Sequence, residues 1–129
     1  MAGETILIVE DNELNLELAT DLLESAGYAV RQARTAEEAI QAAKTTKPHL
    51  ILMDISLPGM DGLDATRVLK ADPTTRQIPV LALTAHAMKG DEEKARAAGC
   101  TGYMTKPIDT RAFPATVARL LASGSHEPG

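Results

Sequence analysis

The sequence predicts an α/β domain: a parallel sheet of five short strands with helices on both faces. Three apolar runs, Ile6 to Val9, Leu50 to Met53 and Val80 to Leu83, are nearly continuous and bounded by turn or polar residues. That pattern suits strands buried on both faces. Segments with helical spacing lie between them, and the two kinds of segment alternate along the chain. Such alternation implies parallel strands joined by right-handed crossovers, with helices covering both sides of the sheet.

The elements follow in order. After Ile6 to Val9 comes a helix marked by Leu14, Leu18, Leu22 and Ala26 and stopped by Gly27. Tyr28 to Gln32 alternates apolar and polar residues, as a strand nearer an edge does. The second helix carries Ala36, Ala39, Ile40 and Ala43, and Thr35 with Glu38 makes a capping box, which satisfies backbone N–H groups that a first turn leaves unpaired. Leu50 to Met53 is a central strand. Asp61-Gly62 opens a third helix through Leu63, Thr66 and Leu69, and Val80 to Leu83 is the next central strand.

The fourth helix, expected over roughly Ala87 to Ala98, is rich in Lys, Asp and Glu with an apolar face that is mostly alanine. Burying alanine stabilises far less than burying leucine, so this helix is expected to be weakly anchored and able to shift. Gly102 to Met104 forms the fifth strand. Phe113, Val117, Leu120 and Leu121 give the last helix its stripe. Pro114 would remove an interior N–H from a helix beginning at Asp109, so the regular helix is expected to begin near Phe113. A single domain over residues 1–122 is expected, with Ser123 to Gly129 as a disordered tail.

Composition excludes several functions. A net charge of -5 with scattered Lys and Arg disfavours direct nucleic-acid binding, since phosphate backbones are engaged by clustered cations. With two Tyr, one Phe and no Trp, there is little to stack on a base or a flavin ring. The single cysteine, Cys100, cannot form an internal disulfide and reads as a small buried hydrophobe. The N-terminus lacks the pattern of a signal peptide and no apolar run reaches spanning length, so no membrane insertion and a cytoplasmic location are expected. The partners are then expected to be proteins.

In an open α/β sheet, ligands bind beyond the carboxyl ends of the strands. Glu10 and Asp11 follow the first strand, Asp54 the third, Thr84 the fourth and Lys106 the fifth, so all five are expected on one rim. Clustered carboxylates repel one another, and a hard cation with oxygen ligands relieves that repulsion. Mg²⁺ suits best, because it binds through one or two carboxylates, keeps waters and accepts a phosphate oxygen. Asp54 would then be a nucleophile toward a phosphoryl group, with Lys106 and Thr84 contacting its oxygens.

Through ILIVEDN, LILMDISLPGMDG, LALTAHAM and YMTKPID, in that order, the chain resembles the receiver domain of two-component response regulators over residues 4–122. The resemblance implies a flavodoxin-like (βα)5 fold with strand order 2-1-3-4-5. It implies that Asp54 takes a phosphoryl group from a histidine kinase or histidine phosphotransfer protein. Asp11, Asp54 and the Ser56 carbonyl would ligate Mg²⁺, with Glu10 acting through a bound water. Thr84 and Tyr103 match the switch pair, and Lys106-Pro107 resembles a cis peptide that aims the lysine. Ser56 and His86 occupy the two positions that tune acyl-phosphate lifetime; neither is a water-activating carboxamide, so a long-lived phosphoryl state is expected.

The chain is therefore expected to be a switch rather than an enzyme, signalling to a downstream protein through its fourth helix, fifth strand and fifth helix. The same residues would also suit a receiver from a hybrid histidine kinase. An aspartyl-phosphate phosphatase would want a second acid where Ser56 stands, and a flavodoxin-like electron carrier would want a phosphate-binding loop where Glu10 and Asp11 stand.

Overall fold

Apolar runs of four or five residues cannot bury themselves as isolated helices, but side by side they fill the centre of a sheet. The structure, a computed structural model, describes residues 3–55, 61–84, 90–105 and 110–125. In chain order the elements are β1 (Thr5–Val9), α1 (Glu13–Ser25), β2 (Ala29–Ala33), α2 (Ala36–Thr46), β3 (Leu50–Asp54), α3 (Gly62–Ala71), β4 (Val80–Thr84), α4 (Asp91–Ala98), β5 (Gly102–Thr105) and α5 (Ala112–Ser125). The strands form one parallel sheet in the order β2-β1-β3-β4-β5. Both the fold class and the strand order are as expected.

Alternation along each strand divides the core in two. Leu7, Val9, Ile51, Met53, Val80 and Ala82 face one side, where the alanines of α2 together with Ala65, Leu69 and Ala95 cover them. Ile6, Ile8, Leu50, Leu52, Leu81 and Leu83 face the other, under Leu16, Ala19 and Leu23 of α1 and Phe113, Val117, Leu120 and Leu121 of α5. Every residue of β3 and β4 is buried, which is why their sequences do not alternate.

The α1 stripe differs from the one that Leu14, Leu18, Leu22 and Ala26 suggested. Leu14 is 78% exposed and Leu18 39%, while Leu16, Ala19 and Leu23 are buried. Both sets have helical spacing, and the direction in which the chain leaves β1 decides which one meets the sheet.

Helix α4 begins at Asp91, later than Ala87, because Gly90 has φ 90, a left-handed conformation that a right-handed helix cannot contain. Residues 87–89 lie outside the described residues. Helix α5 begins at Ala112, so Pro114 is its third residue, where the missing N–H would have had no helical partner. The helix then continues to Ser125, three residues into the expected tail, since Leu120 and Leu121 anchor its last turns and propagation adds a bond per residue. Residues 126–129 lie outside the described residues.

At α2, Thr35 Oγ1 accepts from Glu38 N–H at 3.1 Å, and Glu38 Oε1 accepts from Arg34 N–H at 3.1 Å. The return bond thus reaches one residue further back than a capping box requires. Thr35→Ala is expected to cost about 1 kcal/mol. In urea unfolding the midpoint should fall with the slope unchanged; an unaltered midpoint would show that the Arg34–Glu38 bond alone closes this helix end.

Candidate functional site

Parallel register brings the strand ends together. β1 ends at Val9, opposite Met53, and the next residues on each side are Glu10 and Asp54. Asp54 lies opposite Leu83, beside Thr84. The ladder runs past the strands, with Glu10 N–H donating to Ala33 O at 3.0 Å and Ile55 N–H to Leu83 O at 3.0 Å. These bonds hold the rim backbone rigidly. Among the described residues, carboxylate oxygens of Glu10, Asp11 and Asp54 lie within 4.8 Å of one another.

Burial divides the trio. Glu10 and Asp54 are each 2% exposed, whereas Asp11 is open to solvent. Two buried carboxylates beside an exposed third gather acidic groups at this rim. Its all-oxygen donor set fits a hard divalent cation of the size of Mg²⁺. Glu10 Oε2 accepts from Asn12 N–H at 3.1 Å, and Asn12 in turn caps α1 by accepting from Asn15 N–H at 3.0 Å. The positive end of the α1 dipole therefore abuts the acidic rim.

Gly62 closes the site from below. Its N–H donates to Ile55 O at 3.4 Å, and a Cβ placed on it would stand 2.3 Å from Asp54 O. The helix start is thus packed directly on the backbone of Asp54. Gly62 serves here as a point of close approach.

Thr84, 2% exposed, ends β4 next to Asp54. Tyr103 lies on β5 opposite Ala82, half-buried against the sheet face that α2, α3 and α4 cover. The structure thus brings together Glu10, Asp11, Asp54 and Thr84 at one rim and places Tyr103 on the adjacent strand. Ser56, His86, Lys106 and Pro107 lie outside the described residues.

The sequence from residue 6 to residue 118 matches the family model described as the response regulator receiver domain. The chain belongs to the response-regulator receiver family. It is 48% identical over 118 residues to the polar-differentiation response regulator DivK of Brucella anthropi, covering 92% of this chain and 96% of that protein. DivK of Brucella ovis gives the same identity and coverage.

Among solved structures, a receiver domain of a sensor histidine kinase from Pseudomonas aeruginosa, with magnesium coordinated in its active-site cleft, superposes with a TM-score of 0.86 at 36% identity, over 94% of this chain and 99% of that one. A response regulator from Chloroflexus aurantiacus gives a TM-score of 0.89 at 32% identity, over 93% and 98%. As a receiver, this protein is a phosphorylation-dependent signalling switch of a two-component system. Its acidic cluster is consistent with the Mg²⁺ site of such domains.

Sequence reasoning missed a helix cap, a close backbone contact and a pair of exposed leucines. The cap Asn12 could have been found, since an Asn before a helical stripe is a start signal. The contact of Gly62 on Asp54 and the exposure of Leu14 and Leu18 depend on packing and leave no local signature.

Proposed function

We propose that Asp54 is the phosphoacceptor of this receiver and that a phosphohistidine on a histidine kinase or phosphotransfer protein is the donor. The observation that carries this reading is the convergence of Glu10, Asp11 and Asp54 within 4.8 Å at the carboxyl ends of β1 and β3, with Thr84 alongside. An Asp54 carboxylate oxygen attacks phosphorus, the O–P bond forms as the N–P bond breaks, and the imidazole leaves with a proton. Mg²⁺, when bound, neutralises charge on the phosphoryl oxygens and on the acceptor. Asp11, Asp54 and the Ser56 carbonyl would hold it directly, with Glu10 acting through water.

Lys106 contacts a phosphoryl oxygen, and Thr84 donates a hydrogen bond to another. That bond favours the arrangement with the Thr84 hydroxyl close to the acceptor, and Tyr103 turns inward as the hydroxyl moves. The output face is α4, β5 and α5, which presents the altered surface to a downstream protein. The donor has its own apolar foothold in Leu14 and Leu18, exposed on the first turns of α1. A cytoplasmic location suits these partners; no helix among the described residues is long and apolar enough to cross a membrane.

A receiver acting without an attached output domain is supported by the coverage of nearly the whole length of the DivK proteins. The likeness to a receiver of a sensor histidine kinase favours the second reading, a receiver within a hybrid kinase.

Incubation with a small acyl phosphate and Mg²⁺, read by intact mass, tests the proposal. A single phosphoryl adduct is expected, lost when a chelator replaces Mg²⁺. A folded, Mg²⁺-binding chain that takes no adduct would instead be a degenerate receiver acting by constitutive contact. Ser56 and His86 are expected to let the adduct persist for minutes or longer, and decay within seconds would refute that part.

A further inference from the structure

A second cluster of polar side chains lies away from the acidic rim, where α3 ends and β4 begins. Lys70, in the last turn of α3, donates from Nζ to Arg76 O at 2.9 Å and to Ile78 O at 2.6 Å, both in the turn before β4. Its aliphatic stem runs across Gly99, the carboxyl cap of α4; a Cβ on Gly99 would stand 2.6 Å from Lys70 Cγ. Burial lowers the Lys70 pKa, so its ammonium is held here against a desolvation cost.

The carboxyl end of α4 is tied down by further contacts. Gly99, at φ 111, donates its N–H to Arg96 O, Cys100 N–H donates to Ala95 O, and Thr101 N–H donates to Val80 O. The buried Cys100 thiol approaches Thr66 Oγ1 of α3 at 3.9 Å, and the Thr66 hydroxyl donates to Gly62 O at 2.8 Å. Burial raises the Cys100 pKa, which keeps the thiol neutral inside this contact.

Among the described residues, the amino end of α4 shows none of these ties. Gly90 makes no side-chain cap, nothing lies within 4 Å of where its Cβ would be, and Glu92, Glu93 and Lys94 are exposed. Among the described side chains of the helix, Ala95 and Ala98 are the buried ones.

We infer that Lys70 is the fulcrum of α4: it pins the carboxyl end of the helix to α3 and to the turn before β4, and leaves the amino end, on the side of the acceptor rim, as the end that moves. The expected shift of α4 then becomes a tilt about Gly99 rather than a slide along the sheet. The use of this tilt in signalling rests on the acceptor reading given above, whereas the anchoring does not.

Amide hydrogen exchange on the unmodified full chain tests it. Lys94 and Ala95 are expected to exchange at least about tenfold faster than Gly99, Cys100 and Thr101. Lys70→Met keeps the stem and removes the donors, and should speed exchange at Gly99 to Thr101 by about tenfold. Lys70→Ala, which also removes the stem, should speed it further. Leu7 and Ile51 amides in the sheet centre should not change in either variant. A uniform rate along α4, no effect of either substitution, or acceleration shared by Leu7 and Ile51 would each overturn the fulcrum. Acyl-phosphate labelling of the same samples reports on the acceptor separately, so a failure of one reading is distinguishable from a failure of the other.

Discussion

Asp54→Asn is expected to end phosphoryl acceptance while making the metal-free protein more stable. Asparagine keeps the size of the side chain and a carbonyl acceptor, but its amide is not a nucleophile, so the adduct should vanish from the intact mass spectrum. The stability effect has a different cause. Asp54 is 2% exposed and its carboxylate lies within 4.8 Å of those of Glu10 and Asp11, so one of three crowded negative charges is removed. Like charges at this separation in a poorly hydrated site repel by an amount on the order of 1–2 kcal/mol.

Thermal melts in chelator should therefore place Asp54→Asn above the unmodified chain. Saturating Mg²⁺ should narrow or reverse the gap, because a ligand that binds only the folded state stabilises it by mass action and the unmodified site binds it better. An adduct on the Asn variant would move the acceptor elsewhere. A variant less stable in chelator would mean that the groups around Asp54 hold its charge more strongly than Glu10 and Asp11 repel it.

Most of the fold was legible because it is a parallel sheet. Strands such as β3 and β4, buried on both faces, must be apolar throughout, and no exposed helix or hairpin imitates that pattern. The rim was legible for a related reason: with the strands parallel, the residue after each apolar run falls at the same edge, so Glu10, Asp11, Asp54 and Thr84 met without any knowledge of their side-chain directions. The rest depends on contacts that close over long sequence separations. Helix α1 carries two stripes of apolar residues, and only docking against Ile6, Ile8 and Leu50 selects Leu16, Ala19 and Leu23 over Leu14 and Leu18. The start of α4 depends on one left-handed residue, Gly90, which composition alone did not separate from the helix around it. The exposed leucines left by the first of these choices are the ones proposed above as a foothold for the donor.

The second large effect is expected at Gly62, which touches no ligand. In a helix, alanine is better than glycine by about 1 kcal/mol, and Gly62 has no left-handed conformation to protect, so propensity alone predicts a gain from Gly62→Ala. Packing predicts the opposite. The new Cβ would stand 2.3 Å from Asp54 O, 2.7 Å from Ile55 Cα and 2.9 Å from Asp54 C, all backbone atoms that no rotamer change can move. The start of α3 would have to lift away from β3, and overpacking of this kind costs about 3 kcal/mol, which outweighs the propensity gain.

Urea unfolding is expected to show that loss. Gly90→Ala, which meets nothing within 4 Å and suffers only from its positive φ, should lose about 1 kcal/mol. Because the displaced carbonyl is that of Asp54 itself, Gly62→Ala should also slow labelling by acyl phosphate in protein that remains folded, whereas Gly90→Ala should not. A Gly62→Ala chain as stable as the original and labelled at the same rate would show that α3 is free to move away from β3 without disturbing the acceptor, and the close packing of helix on rim would then have no part in positioning Asp54.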